Sequence, residues 1–282
     1  MAGGGSWALA GSGPNTGAAK VTCRRARTAL PARPANTSAA PAPLLPFRSS
    51  HSAISLASLL ARHAATFGPV LAADLHGPEV ARLDFTAANP RLNNADLRDT
   101  AAFATLVQAM LAEQQAAIGV GGYLENRVIY RRSAHFDAAE EARSLHLGID
   151  VWLPAGTAVL APLPATVHSL ADNDSFGDYG PTVILRHALA GTVFYSLYGH
   201  LARAEWQGLR VGQALEKGEA FATVGPPPEN GDWPPHLHFQ LIADMQGRQG
   251  DFPGVARPSE RAYWADLCPN PNLVLGCPAL RE

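Results

Sequence analysis

Four side chains set the chemistry open to this chain. They are His146 and Asp150 in Ser144-Leu-His-Leu-Gly-Ile-Asp150, and His236 and His238 in Pro235-His-Leu-His-Phe-Gln240. A histidine and a carboxylate four residues apart project to the same side of a helix or a strand. Gly148 between them and Val151-Trp152-Leu153 after them predict a tight backbone entering a strand. In the second stretch a strand period of two puts His236 and His238 on one face, with Leu237, Phe239 and Leu241 on the other. Two imidazoles facing one way in an apolar strand are costly to bury unless something satisfies them. A metal does so, and zinc in particular favours imidazole nitrogen and carboxylate oxygen in a tetrahedron.

A catalytic zinc keeps three protein ligands and an open position for water. His146, Asp150 and one of the two strand histidines supply that count. Hydrolysis also needs a proton acceptor and a donor for the oxyanion. The unused histidine of the pair and His200, which ends Tyr198-Gly-His-Leu201, are the candidates. No His-Glu-x-x-His helix exists, so the glutamate base of that protease class is absent. Tyr198 precedes His200 on what reads as the same strand face and is a candidate lining residue of a substrate cleft.

The elements that must position these residues begin near Asn126. Val128–Tyr130, Ile149–Leu153, Thr157–Leu160, Thr166–Leu170, Thr182–His187, Thr192–Tyr198, Ala220–Val224 and His236–Ile242 read as short strands, with Pro and Gly between them. Ala188-Leu-Ala-Gly191 reads as a hairpin turn. The fold expected is mainly β, an antiparallel β-sandwich-like core at about residues 126–257. Before it, residues 51–125 read as an α-helical N-terminal extension, with one helix over Ser52–Phe67 and another capped by Asp96 and ended by Gly119, Gly121 and Gly122. Residues 258–282 form a tail with one short helix, Glu260–Leu267.

Composition narrows the function classes. The chain has 282 residues, is 47% hydrophobic and carries a formal charge of −2, so it can bury a substantial core. Residues 1–73 hold seven bases and no acid, leaving fifteen bases against twenty-four acids beyond them. An acidic body argues against a nucleic-acid groove. Residues 1–50, rich in Ala, Gly, Ser, Pro and Arg, have the composition of a transit peptide, and their weak amphipathicity leans towards a plastid rather than a mitochondrion. No run of eighteen apolar residues predicts a membrane span. Cys23, Cys268 and Cys277 cannot make a disulfide framework, and Cys268 and Cys277 are expected to be reduced.

The chain resembles the lysostaphin-like (LytM-type) zinc endopeptidases, or peptidoglycan metallopeptidases. The matching stretches are His146-Leu-Gly-Ile-Asp150, Pro154-Ala-Gly-Thr157, Ala161-Pro162, Phe176-Gly-Asp-Tyr179, Leu197-Tyr-Gly-His-Leu201, Val211-Gly-Gln213, Lys217-Gly218 and Pro235-His-Leu-His-Phe239, in family order across about residues 143–243. The resemblance implies one zinc ion per chain bound by His146, Asp150 and His238. It implies that His200 and His236 orient water and stabilise the oxyanion, in the hydrolysis of a peptide or amide bond. The chain departs from the family in the loop Pro226–Pro235, which contains Trp233, and in Gln240, where an acidic residue is common. Both departures reshape the cleft, so Trp233 and Gln240 join Tyr198 as candidate substrate-binding residues.

A narrower likeness involves Gly119–Arg127, Pro226–Leu241, Gly250–Gly254 and Asn270–Gly276. These look like the peptidase-like segment of fusion proteins that also carry a kinase-like phosphotransferase and a pyridoxal-phosphate aminotransferase. The resemblance implies intracellular small-molecule metabolism and an aminotransferase or kinase partner. The alternative reading is a zinc-binding, non-catalytic β-sandwich module associated with such metabolism.

Overall fold

The computed structural model describes residues 55–93, 95–132 and 141–281; the leader expected over residues 1–50 lies outside them. Ser55 starts helix α1 (Leu56–Arg62), its hydroxyl accepting from the Ser58 amide. Strand β1 (Val80–Leu83), helix α2 (Thr100–Glu113) and strand β2 (Ile118–Gly121) follow. Asp99 caps α2, accepting from the amides of Ala101 and Ala102, whereas Asp96 accepts from Arg98 and Asp99 in the turn before it. Short polar side chains one turn apart compete for this role, which is why sequence alone set the cap three residues early.

The central strands are β3 (Leu145–His146), β4 (Ile149–Trp152), β5 (Ala158–Leu160), β6 (Ala165–Asn173), β7 (Gly180–Leu189) and β8 (Thr192–Gly199). Helix α3 (Arg203–Trp206) leads to β9 (Ala214–Leu215), β10 (Ala220–Thr223), β11 (His236–Ile242) and β12 (Val255–Ala256). Helices α4 (Arg261–Leu267) and α5 (Asn272–Leu275) close the chain. Ala190 and Gly191, both at positive φ, make the two-residue turn joining β7 to β8, the geometry that matches strand twist.

Eight strands form one sheet in the order β1-β2-β4-β11-β8-β7-β6-β9, and two further pairs are β10–β5 and β12–β3. The sheet is mixed, not purely antiparallel, because β1 and β2 run parallel. Parallel neighbours need a crossover, and α2 supplies it. The segment expected to be a helical extension thus gives two strands to the same sheet. Phe103, Val107, Met110 and Leu111 of α2 pack with Leu83, Phe85 and Trp152.

The two faces of β11 explain where the site lies. Leu237, Phe239 and Leu241 join the largest core with Val151, Val183, Leu185 and Phe194. The opposite face carries His236, His238 and Gln240, all buried. The C-terminal residues pack inward as well, with Val274, Leu275 and Cys277 in the main core and Leu267 and Cys268 in a smaller one; both thiols are free. Val128–Tyr130 does not form a strand. Ile129 and Tyr130 are both buried and enter a 3-10 turn, Ile129–Arg132, so the alternation a strand needs is missing. Among the described residues no helix is long and apolar enough to cross a membrane.

Candidate metal centre

Three adjacent elements bring the centre together. His146 lies at the end of β3, Asp150 in β4 and His238 in β11, where His238 is in register with Asp150. Gly148 makes the approach feasible: a Cβ there would come within 2.5 Å of the His238 ring. The Nε2 of His146 is 3.0 Å from the Nδ1 of His238 and 3.3 Å from the Oδ1 of Asp150, and the His238 Nδ1 is 3.1 Å from that same oxygen. Tetrahedral zinc with bonds of 2.0–2.1 Å has ligand-to-ligand edges of about 3.3 Å, close to all three separations.

The protons on the far nitrogens decide what these atoms can do. His146 Nδ1 faces the Gly122 carbonyl at 3.1 Å, and a carbonyl only accepts, so the proton is on Nδ1 and the Nε2 lone pair points inward. Gln240 donates its amide to the Pro253 carbonyl, which turns its own oxygen to His238 Nε2 at 3.0 Å. The His238 proton therefore sits on Nε2, leaving Nδ1 as an inward lone pair. Two imidazole lone pairs and a carboxylate oxygen converge with no hydrogen between them. Such a donor set is repulsive by itself and fits a cation, and these residue types suit zinc.

Burial and charge set the protonation. Burial would raise the Asp150 carboxyl, but His146, Arg127 and His236 outweigh it and hold the pKa well below the usual carboxylate range. Burial, then the Arg127 charge, lowers His146 to about 4 against the pull of Asp150. Burial likewise lowers His236 to about 4, and lowers His200 well below its ordinary value with His236 adding to the effect.

His200 and His236 stand beside the triad with ring centres 4.2 Å apart. His236 stacks on Trp152 and turns its Nδ1 to the Pro234 carbonyl at 2.7 Å. Its Nε2 lies 3.9 Å from Asp150 Oδ1. His200 turns its Nδ1 to the Asn230 carbonyl at 2.8 Å. Both rings thus keep an unprotonated Nε2. A cavity of ≈ 270 Å³ opens over Asp150, His200, His236 and His238, walled by Tyr130, Tyr179, Trp233 and Phe252.

The three proposed substrate-binding residues differ in place. Trp233 lines the cavity, its indole N–H donating to the Asp178 carbonyl. Tyr198 does not. It is fully buried in the main core against Phe221 and Phe239, in register with Phe239 and Val183, whereas His200 at a φ of 61° leaves the strand's alternation and so does not share its face. Gln240 is also fully buried and touches His238 rather than the cleft. Arg127, Glu125, Tyr130 and Tyr179 were not singled out from sequence. Arg127 donates from Nη1 to Asp150 Oδ2 and from Nε to Glu125 at 2.7 Å, and its guanidinium is completely buried. The signal available was a cationic residue closing the Gly119–Arg127 run.

Residues 144–250 match the sequence profile of peptidase family M23. The matched stretch is less than half of the chain. An uncharacterised metalloprotease of Haemophilus influenzae is 34% identical over 97 residues, which are 34% of this chain and 18% of that protein's length. Among solved structures, the catalytic domain of lysostaphin from Staphylococcus simulans is 20% identical with a TM-score of 0.30, covering 43% of this chain and 80% of that one. A zinc-containing peptidase from Vibrio cholerae is 23% identical with a TM-score of 0.27, covering 35% and 27%.

Proposed function

We propose that this protein is a zinc-dependent hydrolase of a peptide or amide bond. The observation that carries the reading is the convergence of three proton-free acceptor atoms, from His146, Asp150 and His238, beneath a cavity that two further proton-free imidazole nitrogens also face. A zinc ion held there would polarise the scissile carbonyl and ease ionisation of water. The chain's own residues then have definite tasks. His200 or His236 accepts the water proton at Nε2 and returns it to the leaving amine, so that amide and water become acid and amine. The neighbouring ring, also neutral with its Nε2 lone pair turned to the cleft, accepts the water's second hydrogen in a hydrogen bond and so orients the attacking oxygen. Carbonyls of Asn230 and Pro234 keep both rings turned with Nε2 towards the cleft. Trp233 and Tyr179 narrow the opening against bulk water.

The leader composition supports delivery to a plastid, and the narrower likeness to fusion proteins supports an aminotransferase or kinase as a metabolic partner. The test of the central reading is metal content of the purified chain, followed by hydrolysis assays on short peptides, muropeptides and acyl-amino acids. One zinc per chain with cleavage of at least one amide is expected. Bound zinc with no cleavage of any of them would favour the non-catalytic module.

A further inference from the structure

A second concavity, of ≈ 590 Å³, lies on the other side of the Gly122–Leu124 loop. Its rim carries three arginines from distant parts of the chain: Arg82 of β1, Arg261 of α4 and Arg281 near the C-terminal end. Among the described residues, none of the three is ion-paired and no carboxylate lines the pocket. This is unusual in a body where, beyond residue 73, acids outnumber bases by twenty-four to fifteen. Unpaired cations gathered at one concavity on an acidic protein repel one another, and an anion relieves that repulsion.

The rest of the pocket is built. Arg261 is fixed by donating from Nη1 to the Leu124 carbonyl at 2.9 Å, and Tyr123 is fixed by donating to the Cys268 carbonyl at 2.6 Å. Asn272 exchanges bonds with the Cys277 backbone, which holds α5 as one wall. Leu124, Ile149, Leu273 and Leu280 give an apolar lining between the arginines. A volume in the range of small-molecule sites, an apolar lining and guanidinium forks at the rim describe a ligand with an organic body and anionic groups.

We propose that this pocket binds a small anionic molecule through phosphate or carboxylate groups, at a site separate from the metal centre. The test is isothermal titration of the full zinc-loaded chain with inorganic pyrophosphate and, separately, with succinate, which distinguishes the two anion classes. Saturable binding of at least one, at one site per chain, is expected. Arg82→Gln and Arg281→Gln should each weaken it about tenfold or more, the effect of losing one charge-assisted hydrogen bond. Both side chains are exposed, so both variants should fold, with melting curves to confirm it. Arg143→Gln, at the cleft over the metal centre, should leave binding unchanged, and so should removal of zinc by a chelator. The proposal is overturned if neither anion binds below about 10 mM. It is equally overturned if binding disappears with the zinc or with Arg143→Gln while surviving Arg82→Gln.

Discussion

Arg127 holds Asp150 by the carboxylate oxygen turned away from the two histidines. Its Nη1 donates to Oδ2, while Oδ1 faces His146 and His238. Glu125 takes the Nε hydrogen, so a completely buried cation is shared between two carboxylates. This pairing keeps Asp150 ionised and fixes which oxygen enters the centre.

Replacing Arg127 with Met should therefore weaken zinc binding without touching a ligand. Loss of a group that orients a ligand lowers metal affinity roughly 10–100-fold. Breaking a buried pair also costs about 3–5 kcal/mol, because Glu125 is left without its partner. Chelator competition and denaturant unfolding measure the two effects; unchanged zinc affinity would mean that Asp150 needs no external support.

Ligand loss and catalytic loss should separate. Ala at His146, Asp150 or His238 is expected to strip the metal and lower the melting temperature, since binding that requires the folded site adds to folding stability. Ala at His200 or His236 should keep zinc yet slow hydrolysis by roughly 10²–10⁴-fold. The double variant should lose far less than the product of the single losses, both rings acting on one transition state. Zinc analysis beside turnover on any cleaved amide decides this, and a metal-free His236→Ala would reverse the roles given to the two strand histidines.

Gly148→Ala removes no polar group, yet its Cβ would fall 2.5 and 2.6 Å from ring atoms of His238 and 2.8 Å from the Phe239 carbonyl. Something must shift, at a typical cost of about 1–3 kcal/mol. Reduced zinc affinity together with a lower melting temperature is the expected result. Wild-type values for both would show that β4 and β11 can separate freely.

Acid sensitivity should come partly from a histidine outside the centre. Burial lowers His187 to about 4 against the opposing Pro164 carbonyl, and its Nε2 lies 2.6 Å from the Ser196 hydroxyl. The unfolded chain takes up this proton near pH 6.5, the folded one only near 4. Stability is thus full above pH 6.5 and declines as pH falls towards 4, by about 2–3 kcal/mol at pH 4.5. In chelated protein, the wild type should lose that much more stability than His187→Gln between pH 7.5 and 4.5, as read by urea midpoints. Equal losses would place the acid limb elsewhere.

How much of this was legible follows from the range of each interaction. The period of two in β11 and the turn before β8 are local signals, and both the strand bounds and the hairpin could be read directly. The crossover that makes the sheet mixed was hidden, because β1 and β2 are four residues each, too short for a pattern to register, and β2 carries glycine at Gly119 and Gly121. The face expected to be shared by Tyr198 and His200 is undone by one backbone angle, at His200, that no residue type announces. Arg127 and Asp150 are twenty-three positions apart on different elements, and nothing in their spacing encodes that meeting. Gln240 was noticed as a departure, but its contact with His238 two residues away on the same strand face was not weighed.

The parts that complete the centre do not all lie within residues 144–250. The Gly122 carbonyl that sets the His146 tautomer, Arg127 and Tyr130 all precede that stretch. Pro253, which orients the Gln240 amide, and Cys268, which lies 3.3 Å from it, both follow. The smallest transplantable unit of this protein is therefore wider than its recognisable stretch. Cut at those limits, a fragment would keep every residue able to grip the ion and lose the scaffolding that aims them.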